Sequence, residues 1–204
     1  MSACLTLEQP LRIAYFGPAG TFTESAAKKH FGSAPTFTSH VAIDDVFRAV
    51  ESGNADYGVV PVENSTEGAV GRTLDLLLTS PLMICGEVGL RIQQNLMSKS
   101  AAVDRLDKLY SHAQSLAQCH EWLNRNLPDI PRVPVASNAE AARLAAADPA
   151  SGAIAGEAAA RLYALNILAA NIEDDPNNTT RFLVLAKHDA GPSGLDKTSF
   201  VCSA

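Results

Sequence analysis

The chain has 204 residues, 47% of them hydrophobic, enough to bury a full core in one large domain or two small lobes and too apolar for disorder. A formal net charge of −6, with no run of Lys or Arg, leaves no electrostatic footprint for nucleic acid or for an anionic membrane surface. If the ligand is an anion, local donors must attract it against the overall field.

Cys4, Cys85, Cys119 and Cys202 are scattered, with no C-x-x-C pair and no His at ligand spacing, so they are expected to be free thiols in a reducing compartment, with no disulfide and no metal site. Met1 to Pro10 lacks the basic and apolar stretches of a secretory signal. No window approaches the ~18 uninterrupted apolar residues of a spanning helix. A cytoplasmic protein is expected.

Strands alternate with helices from the start. Leu11 to Phe16 is a short apolar run ended by Gly17-Pro18-Ala19-Gly20, and Thr21 with Glu24 has the T-x-x-E spacing of a capping box opening a helix through His30. Phe37 and Val41 bracket a second strand. The helix around Asp44 to Glu51 puts Val46, Phe47 and Val50 on one face and stops at Gly53. Tyr57 to Val62 is a third strand, and the polar loop Glu63-Asn64-Ser65-Thr66-Glu67-Gly68 leads into a helix over Val70 to Leu78.

The segment Leu82 to Ile92, interrupted by Gly86 and Gly89, reads as a crossover rather than one strand. The same grammar then repeats: Leu109-Tyr110, the loop Ser111-His112-Ala113-Gln114-Ser115, a helix holding Cys119, Trp122 and Leu123, then Val133 to Val135, a helix from Asn138 to Ala147, Ala153 to Ala155, and a helix from Glu157 through Tyr163. Last, the polar run Asn177-Asn178-Thr179-Thr180-Arg181 enters the apolar strand Phe182 to Ala186, whose natural docking place is the first sheet. This βαβ pattern predicts an α/β fold of two similarly wound lobes joined by two crossings, with a hinge and a cleft. Lobe 1 is expected over residues 10–86 plus 173–190, and lobe 2 over 87–172.

In open α/β sheets ligands bind beyond the carboxyl ends of the strands, where all of these polar loops lie. Three of them enter helices, whose N-termini offer free N–H groups suited to small anions. Gly17 to Gly20 lacks the Lys-Ser/Thr that closes a Walker motif, which argues against nucleotide. Glu63, Glu67 and Glu157 are candidate acids or bases and His112 a candidate proton shuttle, although an acidic residue at a helix start is more often a cap or dipole partner. No cluster calls for a bound cofactor.

Taken together, Gly17-Pro18-Ala19-Gly20-Thr21-Phe22-Thr23-Glu24, Val60 to Gly68, Tyr110-Ser111-His112-Ala113-Gln114 and Thr180-Arg181-Phe182 resemble the prephenate dehydratase family, with coverage from about Leu11 to Lys187. The resemblance implies a two-lobed fold like the type II periplasmic binding proteins, with the active site in the cleft and no cofactor. It implies decarboxylating dehydration of prephenate to phenylpyruvate, a hydro-lyase step of phenylalanine biosynthesis. Thr180 takes the catalytic role by this resemblance, and because a threonine hydroxyl is a weak acid, Glu63, Ser111 or water is the expected relay behind it. Arg181, Thr179, Phe182, Asn64, Ser65, Gln114 and Thr21 are the expected substrate-binding residues. Arg181 is the natural partner for a substrate carboxylate, the alternative being a structural ion pair. The resemblance further implies a homodimer or homotetramer, and it reads residues 195–204 as the truncated first strand of a regulatory ACT domain. Arogenate as substrate, or a non-enzymatic module binding a small anion, are the alternatives.

Overall fold

A computed structural model describes residues 10–192, 194–198 and 200. Its first half opens with β1 (Arg12–Phe16), α1 (Phe22–Phe31), β2 (Thr36–His40), α2 (Ile43–Glu51) and β3 (Tyr57–Asn64). A short hairpin strand, β4 (Gly68–Ala69), then leads through α3 (Gly71–Thr79) to β5 (Met83–Arg91). The second half holds β6 (Asn95–Ser98), β7 (Lys108–His112), α4 (Ala113–Gln118), α5 (His120–Asn126), β8 (Arg132–Val135), α6 (Asn138–Ala147), β9 (Ser151–Ala155), α7 (Glu157–Tyr163) and β10 (Asn166–Ala169). The last strand, β11 (Thr179–Ala186), returns to the first half.

The two sheets are wound alike. In the first, β1 lies parallel between β2 and β3, and β11 runs antiparallel between β3 and β5. In the second, β7 lies parallel between β8 and β9, and β6 runs antiparallel between β9 and β10. Each lobe therefore takes its antiparallel strand from the chain arriving out of the other lobe. Two crossings follow from this exchange. They lie side by side, tied by Ile92 N donating to Asn178 O and Ile172 N donating to Gln94 O, each at 2.8 Å.

The segment expected to break at Gly86 and Gly89 is one nine-residue strand, β5, paired with β11 along its length around a single bulge. Glycine weakens a strand but does not end it when the partner supplies a continuous ladder. The first sheet therefore keeps the chain through Arg91, and the crossing begins at Ile92 rather than after Gly86. Conversely, Thr179, Thr180 and Arg181 belong to β11 and not to a loop before it.

Each sheet is covered on both faces by helices. α2 buries Ile43, Val46, Phe47, Ala49 and Val50. Each large apolar side chain so placed stabilises the lobe by about 1.5–3 kcal/mol. In the second lobe the Ala-rich face of α6 packs against Ala153 and Ala155 of β9. Cys119, between α4 and α5, is fully buried and Cys85 half-buried; both are free thiols, and burial pushes both pKa values up. Cys4 and Cys202 lie outside the described residues. So do Ser199 and the positions after Phe200 in the expected ACT strand, and residues 195–198 and Phe200 form no strand. Among the described residues, no helix is long and apolar enough to cross a membrane.

Candidate active site

A cavity of about 1010 Å³ opens between the lobes at the carboxyl ends of the parallel strands. Phe16 and His40 reach it from β1 and β2, and His112 and Val135 from β7 and β8. Among the described residues lining it there is no Arg or Lys. The ionisable side chains in the wall are His40, His112 and Glu140, and the Arg143 guanidinium holds the Glu140 carboxyl below its usual range. The groups this wall offers an anion are therefore neutral donors, imidazole and helix termini.

Thr180, 9% exposed, lines the cavity from β11. Asn64, at the end of β3, fixes it. The Asn64 Oδ1 accepts from the backbone N–H groups of Thr66 at 2.9 Å and Glu67 at 3.1 Å, closing the turn before β4. Backbone nitrogens can only donate, so the amide NH₂ must face the other way. There it donates to Asn178 Oδ1 and to Thr180 Oγ1, both at 2.8 Å. Thr180 is thus an acceptor in that pair, and its own proton has no acceptor among the described residues.

The facing wall is built from amides and hydroxyls. Asn138, at the start of α6, donates through Nδ2 to Ser115 Oγ at 2.7 Å, and Gln94 Nε2 reaches the same oxygen at 3.0 Å. On the first lobe, the expected capping box does not close. Thr21 Oγ1 donates back to Pro18 O at 2.9 Å, and the Glu24 carboxylate takes Gly20 N at 2.6 Å. Thr21 makes no side-chain cap bond, so the first turn of α1 meets the cavity with its N–H groups uncapped.

Residues 13–190 match the family profile of prephenate dehydratase. The chain belongs to the prephenate dehydratase family. It is 56% identical over its whole length to the bifunctional chorismate mutase/prephenate dehydratase of Neisseria gonorrhoeae, covering 57% of that protein. It is 53% identical, again over its whole length, to the Pseudomonas aeruginosa protein of the same description, covering 56% of it. A solved prephenate dehydratase of Arthrobacter aurescens in complex with L-Phe superposes with a TM-score of 0.83 at 32% identity, over 92% of this chain and 63% of that one. The chain thus spans a little over half the length of the curated relatives it matches.

Of the site residues expected from the sequence, the cleft takes in Thr180, Phe182, Asn64, Gln114 and Thr21. It does not take in the others. Arg181 follows Thr180 on a strand and faces away, where its Nη1 meets Glu63 at 2.6 Å and its Nη2 meets Glu87 at 2.8 Å. That network raises the guanidinium pKa, with Glu87 the larger cause, and makes the Arg181–Glu63 pair a brace across β3 and β11. Ser111 is fully buried, its hydroxyl hydrogen-bonded to Ile154 O at 3.0 Å and Asn138 Oδ1 at 3.1 Å, so it has no reach to a ligand. Ser65 and Thr179 pin each other: Thr179 N donates to Ser65 Oγ and Ser65 N to Thr179 O, each at 2.9 Å. Glu157 pairs with Arg161 on α7.

Residues absent from the expected set also line the cleft, among them Ser115, Gln118, Asn138 and Gln94. Gln118 follows Gln114 by one helical turn and shares its face, a signal the sequence carried. Gln94 sits in the crossing and nothing local marks it.

Proposed function

We propose that this chain catalyses the conversion of prephenate to phenylpyruvate, carbon dioxide and water. Prephenate carries a ring carboxylate para to a hydroxyl and a pyruvyl arm with a second carboxylate. Cleavage of the bond from ring to carboxylate releases carbon dioxide, its electron pair moves through the diene, and the carbon–oxygen bond at the far end breaks. One proton delivered to the departing oxygen makes water, and the ring becomes aromatic. Thr180 supplies that proton or a hydrogen bond in its place, help typically worth about 10²–10⁴-fold.

The observation that carries the reading is the Asn64 to Thr180 hydrogen bond, which commits the amide as donor and leaves the threonine proton for the cleft. The uncapped first turn of α1 and the neutral donors of the second lobe hold the carboxylates. A wall without Arg or Lys among the described residues also favours losing a charged carboxylate as neutral gas, because none of its lining side chains is a fixed cation that would stabilise the departing group's charge. By the same reading the enzyme is cytoplasmic and a homodimer or homotetramer, an extension that rests on the family resemblance.

The test is to incubate the purified chain with prephenate and with arogenate and to follow phenylpyruvate and phenylalanine. Phenylpyruvate from prephenate is expected. Recovery of both substrates unchanged would make the chain a binder, and turnover of arogenate alone would reassign the substrate.

A further inference from the structure

Two amide donors converge on one hydroxyl in the second lobe. Ser115, 4% exposed in α4 and on the cavity wall, accepts from Asn138 Nδ2 at 2.7 Å and from Gln94 Nε2 at 3.0 Å. The orientation of each amide is set by its other end. Asn138 Oδ1 accepts from the His112 backbone N–H at 3.0 Å, which can only donate, so Nδ2 must be the atom at Ser115. Gln94 is 1% exposed, and its Oε1 has no partner among the described residues. Reversing that amide would strand a buried N–H group instead of a carbonyl oxygen, the rarer outcome in folded proteins. Both acceptor sites of the Ser115 oxygen are therefore occupied. Its proton has no acceptor among the described residues and is left for whatever fills the cleft.

We propose that Ser115 is a substrate-contacting hydroxyl, donating to a carboxylate oxygen of the ligand. The inference rests on the prephenate reading, which makes that ligand a dianion in a wall with no Arg or Lys among the described residues. Carboxylate oxygens are the strongest acceptors such a molecule offers. The arrangement mirrors Thr180: one hydroxyl from each lobe, each on the wall of the shared cavity, and each held by an asparagine amide that donates to it. The division of labour differs. Thr180 meets the oxygen that leaves, so its contact strengthens as the bond breaks. Ser115 grips a group in the ground state and the transition state alike.

Ser115→Ala is accordingly expected to raise KM for prephenate by at least about tenfold while kcat stays within about threefold. Ser115→Thr, which keeps the hydroxyl, is expected to bring KM back to within about threefold of wild type. An alanine variant that melts near wild type with an unchanged KM overturns the proposal, as do alanine and threonine variants impaired equally. If the alanine variant does not fold, the near-isosteric Ser115→Cys decides the matter in the same assay: a raised KM supports the contact and a wild-type KM overturns it. Wild-type protein that forms no phenylpyruvate removes the prephenate reading itself and this inference with it, a failure visible before any variant is made.

Discussion

Asn64 donates to Thr180 across 2.8 Å, and the direction of that bond matters more than its length. Because Asn64 Oδ1 is committed to two backbone N–H groups, the threonine oxygen can only receive from it. A hydroxyl that receives from one side is polarised to give on the other.

Asn64→Asp reverses this bond. One carboxylate oxygen keeps the turn, and the other now accepts the Thr180 proton. The buried Asn178 Nδ2, which has no partner among the described residues, can turn to meet the new carboxylate and limit the structural cost. A fall in kcat of about 10²-fold or more is expected, with melting within a few degrees of wild type. A variant with ordinary turnover would show that the proton's direction is unimportant.

Arg181 gives the opposite expectation. It braces Glu63 and Glu87 outside the cleft, and its side chain is 43% exposed. Arg181→Lys should leave KM for prephenate within about twofold and cost no more than about 1 kcal/mol of stability. A tenfold rise in KM would return Arg181 to the substrate.

How far the sequence disclosed the site follows from these two neighbours. Thr180 was legible because a hydroxyl placed just before an apolar run is presented by something stiff. For Arg181 the structure favours the ion-pair alternative, because the polar run is strand and not loop: on a strand, successive side chains take opposite faces, so Thr180 and Arg181 cannot both enter one cleft. The same alternation separates Glu63, exposed, from buried Asn64 on β3, and puts Ser111 in the core with Leu109 on β7. The double winding was legible from strand and helix order. The course of β5 was not, because its two glycines are tolerated only through the pairing with a strand almost a hundred residues later.

Acid should remove part of the stability through Glu87. Hydrogen bonds from Lys197 and Arg181 hold its carboxyl below the ordinary glutamate value. Above that ordinary value, about 4.3, both folded and unfolded chains carry the charge and the stabilisation is complete. As the pH falls below it the unfolded chain takes up the proton first, and the advantage is gone once the folded value is passed. Glu87→Gln should therefore lower the melting temperature at neutral pH, and the gap from wild type should close below about pH 4. A gap independent of pH would contradict this.

Gly156 lets the lobes touch. A Cβ there would come within 2.8 Å of Phe22 Cε1 across the cleft. Both residues line the cavity, one from each lobe. Gly156→Ala should wedge the lobes apart and lower kcat/KM by about tenfold or more, with little effect on melting, because the contact lies between lobes rather than within a core. Unaltered kinetics would mean that the spacing at this edge does not govern the site.

The most direct measurement is kcat of Thr180→Val beside Thr180→Ser on prephenate, with KM recorded for each. Removing the hydroxyl while keeping the shape is expected to lower kcat by at least about 10²-fold with little change in KM, whereas serine retains much of the turnover. A valine variant that turns over at the wild-type rate would contradict the account.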